Sequence, residues 1–351
     1  MGKRNTARDV TGGILSLGLA GLYIWFLSSF RPSGIYFLMA GAVFLICQYI
    51  VFSVFALGKP GHGLGVLLIF LAVATAVLFV GKWWWWPEGI SSFAPELDAQ
   101  FTRTLVVVAV AFIGAQVALG YVVMRYGSRG KERAVYSHGN TKLEVTWTLI
   151  TAVIFIGTAI LGQRVWAQLH LNEAPEGAEK IEVVAQQFQW NFHYSGADKT
   201  FGRTEARFIN DSSLNYVGLD PADAQGNDDT QVSTLAIPVD RPVELTLKSK
   251  DVIHSFFAPA LRFKQDAVPG LNIKVHFTAQ KVGKYEVTCA ELCGQLHYNM
   301  KTFMLVLPQN QYEELAAMKE EAFKERLGEL LKEYKLPEEQ KRANEEQTQT
   351  N

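Results

Sequence analysis

Five long runs without a charged residue dominate the first half of this chain, at residues 10–30, 34–57, 64–81, 104–124 and 145–162. Such runs suit a bilayer, whose hydrocarbon core of about 30 Å takes roughly 20 helical residues with every backbone polar group satisfied inside the helix. The third and fifth runs are the shortest, and aromatic residues extend them. Trp83 to Trp86, followed by Pro87, reads as an anchor at the membrane interface. Beyond about residue 165 the chain turns to ordinary mixed sequence. It is therefore neither wholly soluble nor wholly embedded. The formal net charge of -1 over 351 residues excludes the basic face that a nucleic-acid binder needs.

The basic residues orient the runs. Lys3, Arg4 and Arg8 precede the first, and Lys59 lies between the second and third. Arg125, Arg129, Lys131, Arg133 and Lys142 lie between the fourth and fifth. The other connections hold Arg31, then Lys82, Glu88, Glu96, Asp98 and Arg103. Positive loops stay inside, so the N-terminus is expected in the cytoplasm and everything after residue 162 on the outer side. The first run lacks a clear small-residue cleavage site and is expected to be a retained helix, not a signal peptide.

Residues 180–194, 241–248, 252–258, 273–279, 284–289 and 301–307 are rich in β-branched and aromatic types, with Gly, Pro, Asn and Asp between them. That pattern predicts an all-β Greek-key sandwich or barrel. The polar stretch 201–232, with Asp220, Asp223, Asp228 and Asp229, is expected to be a surface loop. Over 310–334, Leu315, Phe323, Leu327, Leu330 and Leu331 recur at helical spacing, which predicts one amphipathic helix. The polar tail 337–351 is expected to be disordered. The expected domains are thus residues 1–98 with three transmembrane helices, a helix hairpin at 99–168, the β-domain at 169–309 and the helix with its tail at 310–351.

Chemistry gathers in the run Cys289-Ala-Glu-Leu-Cys293-Gly-Gln-Leu-His297-Tyr-Asn-Met300, and a β-sandwich can return His254 to it. Cys47, in an apolar run, reads as inert packing. Four readings compete for the loop. A disulfide between Cys289 and Cys293 leaves His297 and Met300 without a role. A tetrahedral zinc site would use both cysteines and both histidines but not the Met. A mononuclear blue-copper site wants one Cys, two His and a weak Met, so one Cys is surplus. A dinuclear copper centre uses every donor: two bridging thiolates, one His for each copper, Met300 on one and a backbone carbonyl between the cysteines on the other. Such a centre relays electrons and binds no substrate. Cys-x-x-Cys-His is absent, so no haem is attached to this chain through that motif.

The loop matches without gaps the Cys-x-Glu-x-Cys-x3-His-x2-Met pattern of subunit II of the haem-copper cytochrome c oxidases. Upstream, Asp251-Val-Ile-His254-Ser and Lys264-Gln-Asp266-Ala-Val-Pro269-Gly270 match as well. Over residues 100–307 the chain resembles that family. The resemblance implies a cupredoxin-like domain holding a CuA centre, on a two-helix membrane hairpin. It assigns His254, Cys289, Glu291 through its carbonyl, Cys293, His297 and Met300 as copper ligands. It also implies that the Glu291 carboxylate helps bind magnesium at the border with subunit I, the partner that holds the haems. Electrons would come from cytochrome c, or from a cytochrome c domain of a larger respiratory assembly. They would pass to haem in subunit I, where dioxygen is reduced to water and protons are translocated. The expected location is the plasma (inner) membrane of a prokaryote, with the copper domain on the periplasmic side.

A further match, Asn140-Thr-Lys-Leu-Glu144-Val-Thr-Trp147-Thr148, implies that Glu144 stands at the cytoplasmic mouth of the K proton channel. An ionisable group at a span edge facing a partner is a proton-route candidate on physical grounds too. Some positions depart from the family. Thr151 stands where a Pro is usual, and Leu271 replaces the Arg after Pro-Gly. Phe188 replaces the first aromatic of the Gln-Trp-x-Trp run, the usual acceptor of electrons from cytochrome c, while Trp190 keeps the second. The first three runs have no counterpart in the two-helix form. From residue 170 to 311 there are 17 acidic and 13 basic residues, a balance that would weakly steer a basic cytochrome. A copper-bearing nitric oxide reductase subunit and a membrane-anchored copper carrier are the rival functions.

Overall fold

The computed structural model describes residues 6–30, 35–57, 59–81, 88–127, 135–337 and 339. The Trp83–Trp86 run, Lys3, Arg4, Arg31, the basic residues 129–133 and the tail from 340 onward lie outside the described residues. Two compact units form, Met1–Trp85 with Thr102–Val153, and Trp86–Phe101 with Ile154–Asn351.

The first unit is helical. Its elements are α1 (Thr6–Phe30), α2 (Ile35–Val51), α3 (Pro60–Gly81) and most of α4 (Ala94–Tyr126) and the first part of α5 (Thr141–His170). Among the described residues four helices have the length and hydropathy of a span, within α1, α3, α4 and α5. The second expected span differs. Its α-helix stops at Val51 and continues as a π-turn, Phe52–Ala56. There the buried Ser53 hydroxyl donates to the Lys59 carbonyl at 2.6 Å, while the Lys59 N–H returns to the Ser53 carbonyl at 2.8 Å. This closes the tight link into α3.

Polar and small residues join these helices, as expected where lipid offers no hydrophobic drive for association. The Gln48 amide donates to the Ser16 carbonyl at 3.0 Å, and Tyr23 stacks on Phe44 at 4.5 Å. α3 and α4 approach so closely that a Cβ on Gly120 would lie 2.8 Å from the Gly65 carbonyl oxygen. The 33 residues of α4 make a helix of about 50 Å, longer than the hydrocarbon needs. Its first turns, to Phe101, belong to the second unit.

That second unit is a β-sandwich. Its strands are β1 (Glu179–Gln186), β2 (Gln189–Tyr194), β3 (Thr230–Val232), β4 (Leu235–Pro238), β5 (Pro242–Ser249), β6 (His254–Ala258), β7 (Phe263–Ala267), β8 (Ile273–Thr278), β9 (Gly283–Cys289) and β10 (Lys301–Leu307). One sheet runs β3-β2-β1-β5-β8 and the other β4-β10-β9-β6-β7. Alternation explains the inner faces: in β5, Val243, Leu245 and Leu247 are fully buried and their neighbours are not. The core joins them to Trp190, Phe192, Phe256, Leu261 and Val287 from both sheets.

Three expectations are corrected here. Residues 180–194 are two strands, not one, turning at Gln187-Phe188 with Gln186 opposite Gln189. The stretch 201–232 is not merely a solvated loop, because it carries short 3-10 turns, ends in β3 and buries Asp220 and Asp229. The Asp229 carboxylate accepts from His193 Nε2 at 2.7 Å and from the Gly202 N–H at 2.9 Å. The expected single C-terminal helix is two, α6 (Gln309–Ala316) and α7 (Glu320–Glu333). The break at 317–319 lets Tyr312 and Leu315, then Phe323, Leu327 and Leu330, enter the core as two short apolar faces.

Candidate metal centre

The sheet β4-β10-β9-β6-β7 builds the centre. β6 begins at His254 and β9 ends at Cys289, and these two strands pair with Phe256 opposite Cys289. The loop after Cys289 turns through Gly294, whose φ of +139° an L side chain rarely adopts, and a short 3-10 turn at His297–Asn299. It returns at Met300, whose carbonyl accepts from the Cys289 N–H at 3.0 Å. The register brings one distant histidine to the local loop.

Two sulfur atoms stand at the middle. Cys289 Sγ and Cys293 Sγ are 3.9 Å apart, far beyond the roughly 2.05 Å of a disulfide. Each has its own set of further donors. Cys289 Sγ lies 3.9 Å from His254 Nδ1 and 3.2 Å from the Glu291 carbonyl oxygen. Cys293 Sγ lies 3.6 Å from His297 Nδ1 and 3.7 Å from Met300 Sδ. His254, Cys289, Cys293 and Met300 are all buried, so water is kept from the sulfurs. The Glu291 side chain itself is exposed.

The donors are soft thiolate and thioether sulfur with imidazole, which suits copper and gives every side chain a use. A zinc site would strand Met300, and a single copper would strand one cysteine. The donor set therefore fits a pair of copper ions.

Neighbours not assigned from the sequence set the protonation. Asp251 Oδ1 is 2.8 Å from His254 Nε2, so Nε2 carries the proton and Nδ1 faces Cys289. The other oxygen, Oδ2, accepts from the Gln187 N–H at 2.7 Å, and the Gln187 side-chain amide donates to the Cys293 carbonyl at 2.5 Å. Gln187 thus ties the β1–β2 turn to both halves of the centre. Burial opposes a thiolate at Cys289, but hydrogen bonds with His254, with the backbone at Ser255 and Glu291 and with His297 together outweigh it and draw that thiol below its ordinary value. Burial and the Cys289 charge together push the Cys293 thiol up.

The aromatic candidates are both close by. Trp190 is buried, with its ring centroid 6.2 Å from that of His254 in an edge arrangement and 5.6 Å from Phe256. Phe188 is half-buried, and its ring comes within 3.0 Å of where a Cβ on Gly294 would stand. Leu271 is exposed, and α5 runs unbroken through Thr151. Glu144 is in the first turn of α5, where its Oε1 accepts from the Asn140 N–H at 3.3 Å. There it helps cap the helix.

Residues 180–306 match the family model for the periplasmic domain of cytochrome c oxidase subunit II, and residues 84–165 match the model for its transmembrane domain. The alternative cytochrome c oxidase subunit 2 of Bradyrhizobium diazoefficiens is 32% identical over 254 residues, covering 71% of this chain and 90% of that one. This chain belongs to the cytochrome c oxidase subunit II family. A second subunit II relative, from Thermostichus vulcanus, is 29% identical over 252 residues, covering 65% of this chain and 76% of that one. Among solved structures, the periplasmic domain of subunit II of a Bradyrhizobium japonicum cytochrome oxidase matches at 23% identity and a TM-score of 0.32, over 43% of this chain and 99% of that one. The family's periplasmic domain is the β-sandwich described above, and its transmembrane domain covers α4 and most of α5.

Proposed function

We propose that this chain is the electron-accepting subunit II of a haem-copper terminal oxidase and that its loop holds a dinuclear CuA centre. The observation that carries the reading is the duplicated donor set: two sulfurs 3.9 Å apart, each with one imidazole and one further donor of its own. His254, Cys289, Glu291 through its carbonyl, Cys293, His297 and Met300 would hold the metal. Bound there, the copper pair supplies one-electron exchange between cytochrome c and the haem of subunit I, where dioxygen is reduced.

The chain's own residues prepare that exchange. Asp251 fixes the His254 tautomer and ring, as carboxylates do behind metal-binding histidines. Gln187 holds the cysteine loop to the β1–β2 turn, so the donors keep their places when the metal changes charge. Burial excludes water and keeps the surroundings constant. Phe188, packed on the loop at Gly294, stands at the point of electron acceptance, and Trp190 beside His254 lies on the inward path.

The wider assignment follows the same reading. The Glu291 carboxylate, exposed beside the loop, would share magnesium with subunit I. Glu144, whose connection also carries Arg125 and Lys142, would open the proton route on the cytoplasmic side. The N-terminus would be cytoplasmic, and the three helices of residues 1–98 would precede the subunit II hairpin of residues 99–168.

Oxygen uptake by the purified complex with reduced cytochrome c tests this reading. Cys289→Ser should abolish uptake while leaving haem content unchanged. Reduction of nitric oxide but not of oxygen by the unaltered complex would overturn it.

A further inference from the structure

The segment before α4 is built into the β-sandwich. The Ile90 N–H donates to the Ala260 carbonyl at 2.8 Å, and the Ile90 carbonyl accepts from the Gln280 N–H at 2.7 Å. The Ser91 hydroxyl reaches the Leu261 carbonyl at 2.6 Å, and the Ser92 N–H reaches the Thr278 carbonyl at 3.0 Å. Ile90 and Ala94 are buried, and Ile90 belongs to the domain core.

One ion pair closes this strap. Arg262 forks onto Asp98 of α4, with Nε to Oδ1 at 2.7 Å and Nη2 to Oδ2 at 3.1 Å. Its Nη1 donates to the Pro259 carbonyl at 2.8 Å. The Arg262 side chain is 11% exposed and that of Asp98 36%, and the two-pronged geometry sets the pair apart from loose surface contacts. A Cβ on Gly89 would stand 2.6 Å from the Ala94 Cβ, so glycine lets the strap lie against the start of α4. Arg262 also sits at φ +58°, a left-handed conformation that disfavours any side chain, and Arg is not a residue that eases it. The backbone strain is offset by what the side chain reaches.

The placement has a consequence for the copper loop. β6 begins at His254, and at its other end the turn Pro259–Leu261 is held by the strap and by Arg262. One short strand thus connects a metal donor to the first turns of α4, which belong to the same unit.

We infer that the Arg262–Asp98 fork is a positioning joint, which holds the first turns of α4, Ala94–Phe101, on the copper domain, and that electron transfer out of the metal centre depends on this hold. This rests on the copper reading proposed above. Arg262→Gly removes the fork and relieves the left-handed strain. It should leave copper content and the copper EPR spectrum unchanged. Hydrogen exchange of the Ile90, Ser92 and Gln280 amides should speed up, while the amides of β9 and β10 keep their protection. In the intact complex, electron transfer from the reduced centre to haem should slow on the order of tenfold, as small misplacements far from a reacting centre do. The exchanged pair Asp98→Arg with Arg262→Asp should recover the strap's protection and most of the rate. Should Arg262→Gly fail to assemble, Asp98→Asn carries the same test.

Unchanged exchange and unchanged transfer in these variants would overturn the joint. So would a slowed transfer accompanied by an altered copper spectrum, because Arg262 would then act through the metal site. An unaltered chain without the two-copper spectrum would instead overturn the copper reading, and the exchange measurement would still decide the joint.

Discussion

Asp251 holds His254 by a 2.8 Å contact from Oδ1 to Nε2, and this one contact decides which ring nitrogen is left for metal. His254 is wholly buried, so few other groups could orient it. Asp251→Ala should weaken copper binding about 10- to 100-fold, the usual effect of losing such an outer partner. Competitive titration against a copper chelator reads this directly. An affinity equal to that of the unaltered chain would show that the strand alone places the ring.

The proposal that both sulfurs hold the metal has a sharper signature. Cys293→Ser leaves His297 and Met300 without the thiolate that sits 3.6 and 3.7 Å from them. Bound copper should fall from two per chain to one or none, and any remaining copper should give a mononuclear spectrum. Metal analysis and EPR of the same sample check it.

Metal uptake should also release protons. The free loop protonates Cys293, whose thiol is pushed up by burial and by Cys289, and a metal must displace that proton. Apparent copper affinity should therefore rise with pH. Potentiometric titration during copper addition measures the protons, and none released would contradict the assignment of thiolate ligands.

Away from the metal, His193 is enclosed between Glu182 at 3.0 Å and Asp229 at 2.7 Å. Burial works against its charge, but the hydrogen bonds to Asp229 and Glu182 prevail and raise it above 6.5. Burial likewise opposes the Glu182 charge, and His193 and Lys248 prevail to lower it below 4.5. The histidine's share of stability is full below pH 6.5 and fades as pH rises through its raised folded value. The glutamate's share is full above pH 4.5 and fades as pH falls through its lowered value. Both are complete between these limits. Asp229→Ala should cost about 3 kcal/mol there, because it strands a buried charge. Thermal unfolding from pH 4.5 to 9 should show the gap to the unaltered chain narrowing on the alkaline side.

The C-terminal helices are part of the domain, not an appendage. Phe323 is buried and its ring lies 5.2 Å from that of Tyr194, whose hydroxyl donates to the Ala236 carbonyl at 3.0 Å. Phe323→Ala should destabilise the domain by about 3–5 kcal/mol. A melting temperature within a degree of the unaltered chain would contradict this.

What could be seen beforehand followed how local each feature is. The loop from Cys289 to Met300 was legible because five of its donors lie within twelve residues. His254 was legible only as a residue that a β-sandwich can return to the loop, since its approach depends on the β6–β9 register. The turn at Gln187-Phe188 was hidden because neither residue is a turn former, and β-branched and aromatic residues recur on both sides. Asp229 was misplaced because a carboxylate in a polar stretch usually faces water, and only a distant His193 makes its burial tolerable. The strap at Glu88–Ser92 left no periodic trace. Its bonds, three between backbone groups and one from the Ser91 hydroxyl, each cross 170 residues of chain or more.

Everything rests on two sulfurs sharing a pair of metal ions, and the copper EPR spectrum of the purified, oxidised chain tests that most directly. Two coppers per chain with hyperfine lines from both nuclei, collapsing to a single-copper pattern or to none in Cys293→Ser, is the expected result. A spectrum from one copper nucleus in the unaltered chain, or zinc in place of copper, would contradict it.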